Sequence, residues 1–240
     1  MSSTTTPIDC LIAGGGYVGL STAVAIKASA PHLAVTLIDA APEDALSRDE
    51  RASAIAAAAA RMLDQLGLWQ GLLEHAQPIR EMIVTDSRTN DPVRPVFLTF
   101  GDAEDPDPEA PFAHMVPNKA LVGALRERAK ALGVDLRHGE TVADFADEGA
   151  AMRVGLGSGA EMMTRLLIAA DGVQSKLRER AGIRTVRWAY DQMGIVTTIS
   201  HERDHEGRAE EHFLPGGPFA TLPLPGKRTS LVWTEPTAVA

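Results

Sequence analysis

The sequence has one cysteine, Cys10, in 240 residues. No internal disulfide can form, which suits a reducing compartment. A lone cysteine inside an apolar run reads as a small buried hydrophobe rather than a nucleophile. Basic residues are in deficit, 23 Lys+Arg against 32 Asp+Glu, for a net charge of -9. That excludes nucleic acid from the expected partners, because phosphates call for a basic face. No apolar stretch reaches the ~18 residues of a membrane-spanning helix. Residues 1–7 also lack the charged-then-apolar order of a secretory leader. A cytoplasmic protein without a transmembrane segment is the expectation. Metal spacing is missing too: His201, His205 and His212 stand among Glu and Arg, read as a solvated loop, and no metal is expected.

What the chain does have is concentrated near its start, in "DCLIAGGGYVGLSTAVAIKASAPHLAVTLIDA". Residues 8–13 form a short apolar run that predicts a buried strand. Residues 17–29, rich in Ala and Leu and stopped near Pro31, predict a helix, and residues 34–39 a second strand. This is a βαβ unit, and Gly14, Gly16 and Gly19 sit at its first turn. In such a loop the first glycine makes the turn and the second lets backbone approach a pyrophosphate. The third lets helix and strand pack closely. Phosphates would rest on the free N–H groups at the helix start. Asp39 ends the second strand, placed to accept hydrogen bonds from ribose hydroxyls. The residues point to a dinucleotide and leave NAD and FAD both open.

Residues 52–66, with five successive alanines, predict a helix. Residues 79–85 and 93–100 predict strands joined by a turn at Asn90, Asp91 and Pro92. The acidic, proline-rich stretch 101–111 predicts an exposed loop. Helix spacing returns over 118–132, and strands are expected at 134–142, 151–156 and 162–170. A helix over 174–181 follows Asp171-Gly172, with Asp171 as its cap. Four more strands are expected at 193–200, 210–214, 220–224 and 230–233. Trp188, Phe213, Phe219 and Trp233 read as core residues of that second sheet, with a substrate-facing role left open.

The stretch "TRLLIAADGVQSKLRERAGI" (164–183) resembles the Asp-Gly motif of the flavin-dependent aromatic monooxygenases. "RDERASAI" (48–55) is similar to that family's arginine-containing segment after the second strand. "LGLWQGLLEHAQPIREMIVTDSRT" (66–89), "HMVPNKALVGAL" (114–125) and "EEHFLPGGPFATLPLPGKRTSLVWTE" (210–235) resemble its ubiquinone-biosynthesis branch, the 2-polyprenyl-6-methoxyphenol hydroxylase-like proteins. The resemblance implies an α/β fold. A Rossmann-like FAD-binding domain, 1–76 with 112–183, would be interleaved with a mostly antiparallel substrate-domain sheet, 77–111 with 184–240.

It further implies FAD as cofactor, NAD(P)H as reductant and O2 as co-substrate, acting on a phenolic, prenylated ubiquinone precursor. Arg51, Asn118 and Asp171 would join the glycines and Asp39 as FAD contacts. No catalytic residue is identified. Association with other ubiquinone-biosynthesis proteins and a peripheral position at a membrane surface are the partner expectations. A third, Gly-Asp-Ala-Ala-His-like motif of the family does not occur here, and Asp39 stands where Glu is commoner. The chain is therefore expected to be an N-terminal part, with an incomplete second sheet and an exposed apolar face carrying Leu222, Leu224 and Val232. The alternatives are a non-catalytic dinucleotide-binding remnant and an NAD(P)-binding reductase.

Overall fold

The computed structural model describes residues 7–88, 91–101 and 111–240, the side chains of 46–48 excepted. Most of the acidic stretch 101–111, and Asn90 of the expected turn, fall outside that description. In chain order the first elements are β1 (Ile8–Ala13), α1 (Tyr17–Ser29) and β2 (Val35–Asp39). Then come β3 (Ala52–Ala56), α2 (Ala57–Gln65), α3 (Trp69–Leu72), β4 (Gln77–Ile79), β5 (Glu81–Asp86), β6 (Val96–Phe100) and β7 (Ala113–Pro117). They are followed by α4 (Asn118–Ala131), β8 (Asp135–His138), β9 (Val142–Asp147), β10 (Met152–Leu156), β11 (Glu161–Ala169) and α5 (Lys176–Arg180). The last four strands are β12 (Gln192–Ser200), β13 (Arg208–Leu214), β14 (Gly217–Leu224) and β15 (Arg228–Pro236). The chain divides into two compact units, 1–48 with 121–187 and 49–120 with 188–240.

The first unit is built on a six-stranded sheet of order β8-β2-β1-β11-β10-β9. β8, β2, β1 and β11 run parallel, while β10 and β9 return antiparallel. A parallel strand is covered on both faces, so its sequence is a near-continuous apolar run. That is why Cys10, Leu11, Ile12 and Ala13 are all buried. Burial also pushes the Cys10 thiol up, keeping it an unreactive hydrophobe. Helix α1 buries Leu20, Ala23 and Val24. Its Lys27 is buried as well, and Nζ donates to the carbonyls of Pro31 (2.7 Å) and Leu33 (3.0 Å). A charge in the interior is tolerated because these carbonyls replace its water.

The second unit pairs a six-stranded sheet, β12-β15-β14-β13-β5-β6, with a small antiparallel sheet, β3-β7-β4. The larger sheet is antiparallel except where β13 runs parallel to β5. Ile79, Ala113, Met115, Ala209 and Leu224 form the core cluster of this unit, with Leu222 packed against it.

Several expectations need correction. The segment 52–66 is not one helix: its first five residues are β3, hydrogen-bonded from Ala52↔Pro117 to Ala56↔Ala113. Alanine propensity yields there to a tertiary pairing. The strand expected over 134–142 splits at Gly139, whose φ of 71° turns the chain between β8 and β9. Leu224 is 4% exposed rather than part of an open face. Trp188 (70% exposed), Phe213 and Trp233 are exposed, not core. Leu224→Ala should therefore cost about 2–5 kcal/mol in urea unfolding, a transfer loss plus a cavity. Leu222→Ala, at a half-buried position, should cost less; equal and small losses would contradict the assigned core.

Candidate functional site

In the first unit the carboxyl ends of β1, β2 and β11 converge. Gly14 N–H donates to Ile38 O (2.7 Å), and Ala170 N–H donates to Ala13 O (2.8 Å). In open α/β sheets this is where ligands bind, outside the strand ends where the strand order reverses. The strand order places that reversal between β1 and β11. A cleft of about 660 Å³ opens there, lined by Gly14, Gly15, Gly16, Asp39, Asp171 and neighbouring residues. Its size is that of a small-molecule site.

Each glycine of the loop has its own reason. Gly14 has a φ of 113°, and a Cβ on it would overlap the Ala170 carbonyl. A Cβ on Gly19 would overlap the Gly14 carbonyl, so the third glycine sets how closely α1 approaches the strand end. Gly15, which carried no role in the sequence, lies against the Asp39 carboxylate; a side chain there would displace it. Gly16 differs from all three. A Cβ on it meets nothing within 4 Å, so the protein's own packing gives no reason for a glycine. Gly16 is also the N-cap of α1, and it offers no capping side chain. The amides of Tyr17, Val18 and Gly19 follow it in the first turn, where no intrahelical acceptor exists.

Asp39 accepts a hydrogen bond from Ala41 N–H (3.3 Å) and faces the cleft. Asp171 lines it from the other side. The expectation that Asp171 itself caps the following helix is corrected. Ser175 is the N-cap, its Oγ accepting from Arg178 N–H at 3.0 Å. Asp171 acts one step back: Oδ1 accepts from Ser175 Oγ–H (2.5 Å) and Oδ2 from Leu177 N–H (3.3 Å). It orders the Asp171–Ser175 turn, and the helix is shorter than expected for that reason. Glu140, Thr141, Lys176 and Arg180 also line the cleft and were not singled out in the sequence. Contacts to Ser158, then to the Thr141 amide, hold the Glu140 carboxyl below its usual range. Glu140 and Thr141 reach the cleft from the loop between β8 and β9, and Lys176 and Arg180 from α5, just after Asp171-Gly172.

Arg51 and Asn118 come together in the second unit. The Arg51 guanidinium forks onto Asp49, Nε to Oδ1 and Nη2 to Oδ2, both at 2.9 Å. Asn118 is buried at the head of α4; its amide nitrogen reaches Asp49 Oδ2 (3.4 Å) and its Oδ1 accepts from Ser53 Oγ–H (2.7 Å). Asn118 N–H donates to Arg51 O (2.9 Å). Asp49 is the hub of this set. The Arg51 guanidinium beside it is the main cause that holds its carboxyl down at about 2.

The three histidines are not a solvated loop. His205 Nε2 contacts the carbonyls of Leu224 (2.9 Å) and Gly226 (3.0 Å), and His201 Nε2 contacts Thr229 Oγ (2.8 Å). His212 lies within β13, with Nδ1 on Thr85 Oγ.

A family described as FAD binding domain matches residues 7–219. The chain belongs to this FAD-binding domain family. Over 231 residues it is 40% identical to the ubiquinone hydroxylase UbiL of Rhodospirillum rubrum, covering 95% of this chain and 52% of that protein. It is 32% identical to the 3-demethoxyubiquinol 3-hydroxylase of Escherichia coli, covering 98% of this chain and 59% of the relative. The crystal structure of PqsL from Pseudomonas aeruginosa superposes with a TM-score of 0.81 at 20% identity, over 98% of this chain and 62% of the other. That likeness carries the fold, the expected α/β architecture. The chain spans about half the length of the curated relatives it matches, 52% for UbiL.

The charge at Asp49 has a stated pH consequence. A carboxyl lowered from 3.8 to about 2 contributes stability that is complete above its unfolded value and is lost as pH falls through the folded one. Wild-type melting temperature should drop between those two values, and Asp49→Asn should flatten that part of the profile. Identical acid branches in the two proteins would contradict the Asp49–Arg51 pairing.

Proposed function

We propose that this chain supplies the FAD-holding part, and part of the substrate sheet, of a monooxygenase. The proposed enzyme hydroxylates a phenolic, prenylated ubiquinone precursor with O2 and takes its electrons from NAD(P)H. The observation that carries the reading is Gly16, a glycine at the start of a helix, in a cleft, with no packing reason for lacking a side chain. Close approach of a ligand accounts for it. The kinship with UbiL and the E. coli hydroxylase supports the substrate class.

The residues fit FAD at its pyrophosphate end. Gly16 leaves the space, and the first-turn amides of α1 offer donors backed by the positive end of the helix. Asp39 would accept from ribose hydroxyls, and its carboxylate is steadied by the Ala41 amide. Gly14 and Gly19 keep the loop tight, while Asp171 orders the turn on the opposite wall. We assign Arg51 and Asn118 as further flavin contacts, so the functional division is 1–76 with 112–183 and 77–111 with 184–240. Asp49 then fixes the direction of the Arg51 guanidinium. When bound and reduced, FAD would activate dioxygen, one atom of which goes to the ring and the other to water; the protein supplies position and dryness.

No helix among the described residues is long and apolar enough to cross a membrane. We propose that so apolar a substrate is taken up peripherally, at the membrane surface, in association with other proteins of ubiquinone synthesis. Among the described residues, no strand pairs with the 166–169 part of β11 on the side away from β1. Beside it lies an apolar groove of about 820 Å³ with exposed Tyr17, Val18 and Val173. A bare strand edge next to exposed apolar surface invites association. This favours a second reading, in which these residues alone bind FAD weakly and do not turn over.

Two measurements separate the possibilities. In flavin-fluorescence titration, Gly16→Val should keep the wild-type melting temperature but lose FAD, because its side chain fills ligand space and nothing else. Gly19→Ala should lower stability whether or not FAD is present. FAD affinity unchanged in Gly16→Val would contradict the loop assignment. For activity, the chain fused to the C-terminal half of UbiL should add one oxygen atom to a prenylated phenol in the presence of NADPH, read by mass. An unmodified phenol with FAD fully bound would sink the monooxygenase reading.

A further inference from the structure

The outermost strand of the larger sheet breaks the rule for an edge that faces water. β6 pairs with β5 alone, and the sheet order ends there. Soluble proteins guard such edges with charge and keep the uncovered face of an antiparallel sheet polar. β6 does neither. Phe97 is 72% exposed, and Val96, Leu98 and Phe100 are exposed as well. Val93, just ahead of the strand, is 74% exposed. Exposed apolar surface of this kind marks a place where something other than water belongs.

Strand register shows that these side chains do not share one face. Leu98 lies opposite Val84 and Phe100 opposite Met82, on the face where Met82 packs against the core. Val96 lies opposite Thr85, the next residue of β5, and so belongs to the other face. The register shift between Val84 and Thr85 leaves Phe97 as the extra residue of a bulge. A protein partner laid on one face would leave the other in water. A medium that surrounds the strand covers both, and lipid is such a medium. The charges agree with it. Residues 92–100 hold no acid and one cation, the exposed Arg94, while five acids follow over 102–109. A zwitterionic headgroup matches both signs, its phosphate the guanidinium and its ammonium the carboxylates. An anionic headgroup would match Arg94 alone.

We propose that the β6 edge inserts into a zwitterionic lipid surface, with Val93, Phe97 and Phe100 among the acyl chains and Arg94 at the phosphates. The proposal rests on the peripheral uptake proposed above and names the element that meets the lipid. Its driving force is the apolar area removed from water. Arginine suits the boundary, since its stem lies along apolar surface while the guanidinium stays on the wet side. The insertion is shallow. An edge strand has unpaired N–H and C=O groups, and these stay solvated at headgroup depth but not in the hydrocarbon.

The test uses the intact chain with Phe97→Cys, labelled with a nitrobenzoxadiazole fluorophore. Cys10 is 6% exposed, so the label goes to position 97. With phosphatidylcholine vesicles the emission should shift to the blue, and a quencher high on the acyl chain should act more strongly than a deep one. In the unlabelled chain, Val93→Ser with Phe97→Ser should lower vesicle partitioning about tenfold or more, the value of two apolar side chains at partial depth. Its circular dichroism spectrum should not change. Phosphatidylglycerol vesicles should bind the chain less well than phosphatidylcholine. Unshifted emission, partitioning that survives the two serines, or a preference for phosphatidylglycerol overturns the proposal. So does blue emission before vesicles are added, in the chain or in its fusion to the C-terminal half of UbiL, because protein then covers β6. FAD titrated into the same sample separates the two levels. Flavin bound without insertion removes the lipid edge alone. Insertion without flavin binding upholds the edge and removes the monooxygenase reading.

Discussion

The site depends on one steric constraint, the approach of three backbones with no side chain between them. Gly19 of α1 lies on the Gly14 carbonyl, and Gly14 lies on the Ala170 carbonyl at the end of β11. Any Cβ at either position would push the helix from the sheet or spread β1 from β11. The consequence is a helix start held over the strand ends, with unpaired amides aimed out of the sheet. Gly15 extends the same logic to a charge, because its missing side chain is the space in which the Asp39 carboxylate sits. The loop is therefore a device for placing donors and an acceptor around one cleft. Within this loop only Gly16 is spared the packing, which leaves open space beside it in the cleft.

The electrostatics follow from how each carboxylate is held. Asp39 is tied to a neighbouring amide, and Asp171 to the Ser175 hydroxyl and the Leu177 amide. Asp49 is gripped by a guanidinium and stays ionised far into acid. None of these acids is hydrogen-bonded to another carboxylate among the described residues, which fits the proposed reading, in which the cofactor would supply the reactive chemistry. Their common effect is orientation: of the Asp39 carboxylate toward the cleft, of a turn, and of Arg51.

What could be read in the sequence was what is local. The strand, glycine turn, helix and second strand of 8–39 lie within one stretch, and periodicity and turn chemistry describe them nearly to the residue. The family was legible for the same reason, since its motifs are contiguous. Long-range pairing was not. The alanines of 52–56 carry no sign that β7 will claim them as a strand. Likewise, nothing in Thr85 or His212 foretells that β5 and β13, 127 positions apart, run parallel and bring them into contact. The burial of Lys27 likewise depends on two carbonyls of the loop that follows α1. Leu224 looked exposed because its cover, β4 and β7, comes from a distant part of the chain. Ser175 took the capping role assigned to Asp171, a shift of four residues that only the turn geometry reveals.

The central claim is that FAD lays its pyrophosphate on the first turn of α1. Amide hydrogen exchange of the chain with and without saturating FAD tests it most directly. Tyr17, Val18 and Gly19 have no intrahelical acceptor, so their amides exchange readily in the free protein. On addition of FAD these amides and that of Gly16 should slow together, while those of β13 to β15 change little. Unaltered exchange at 16–19 in a protein that demonstrably holds FAD would contradict the account.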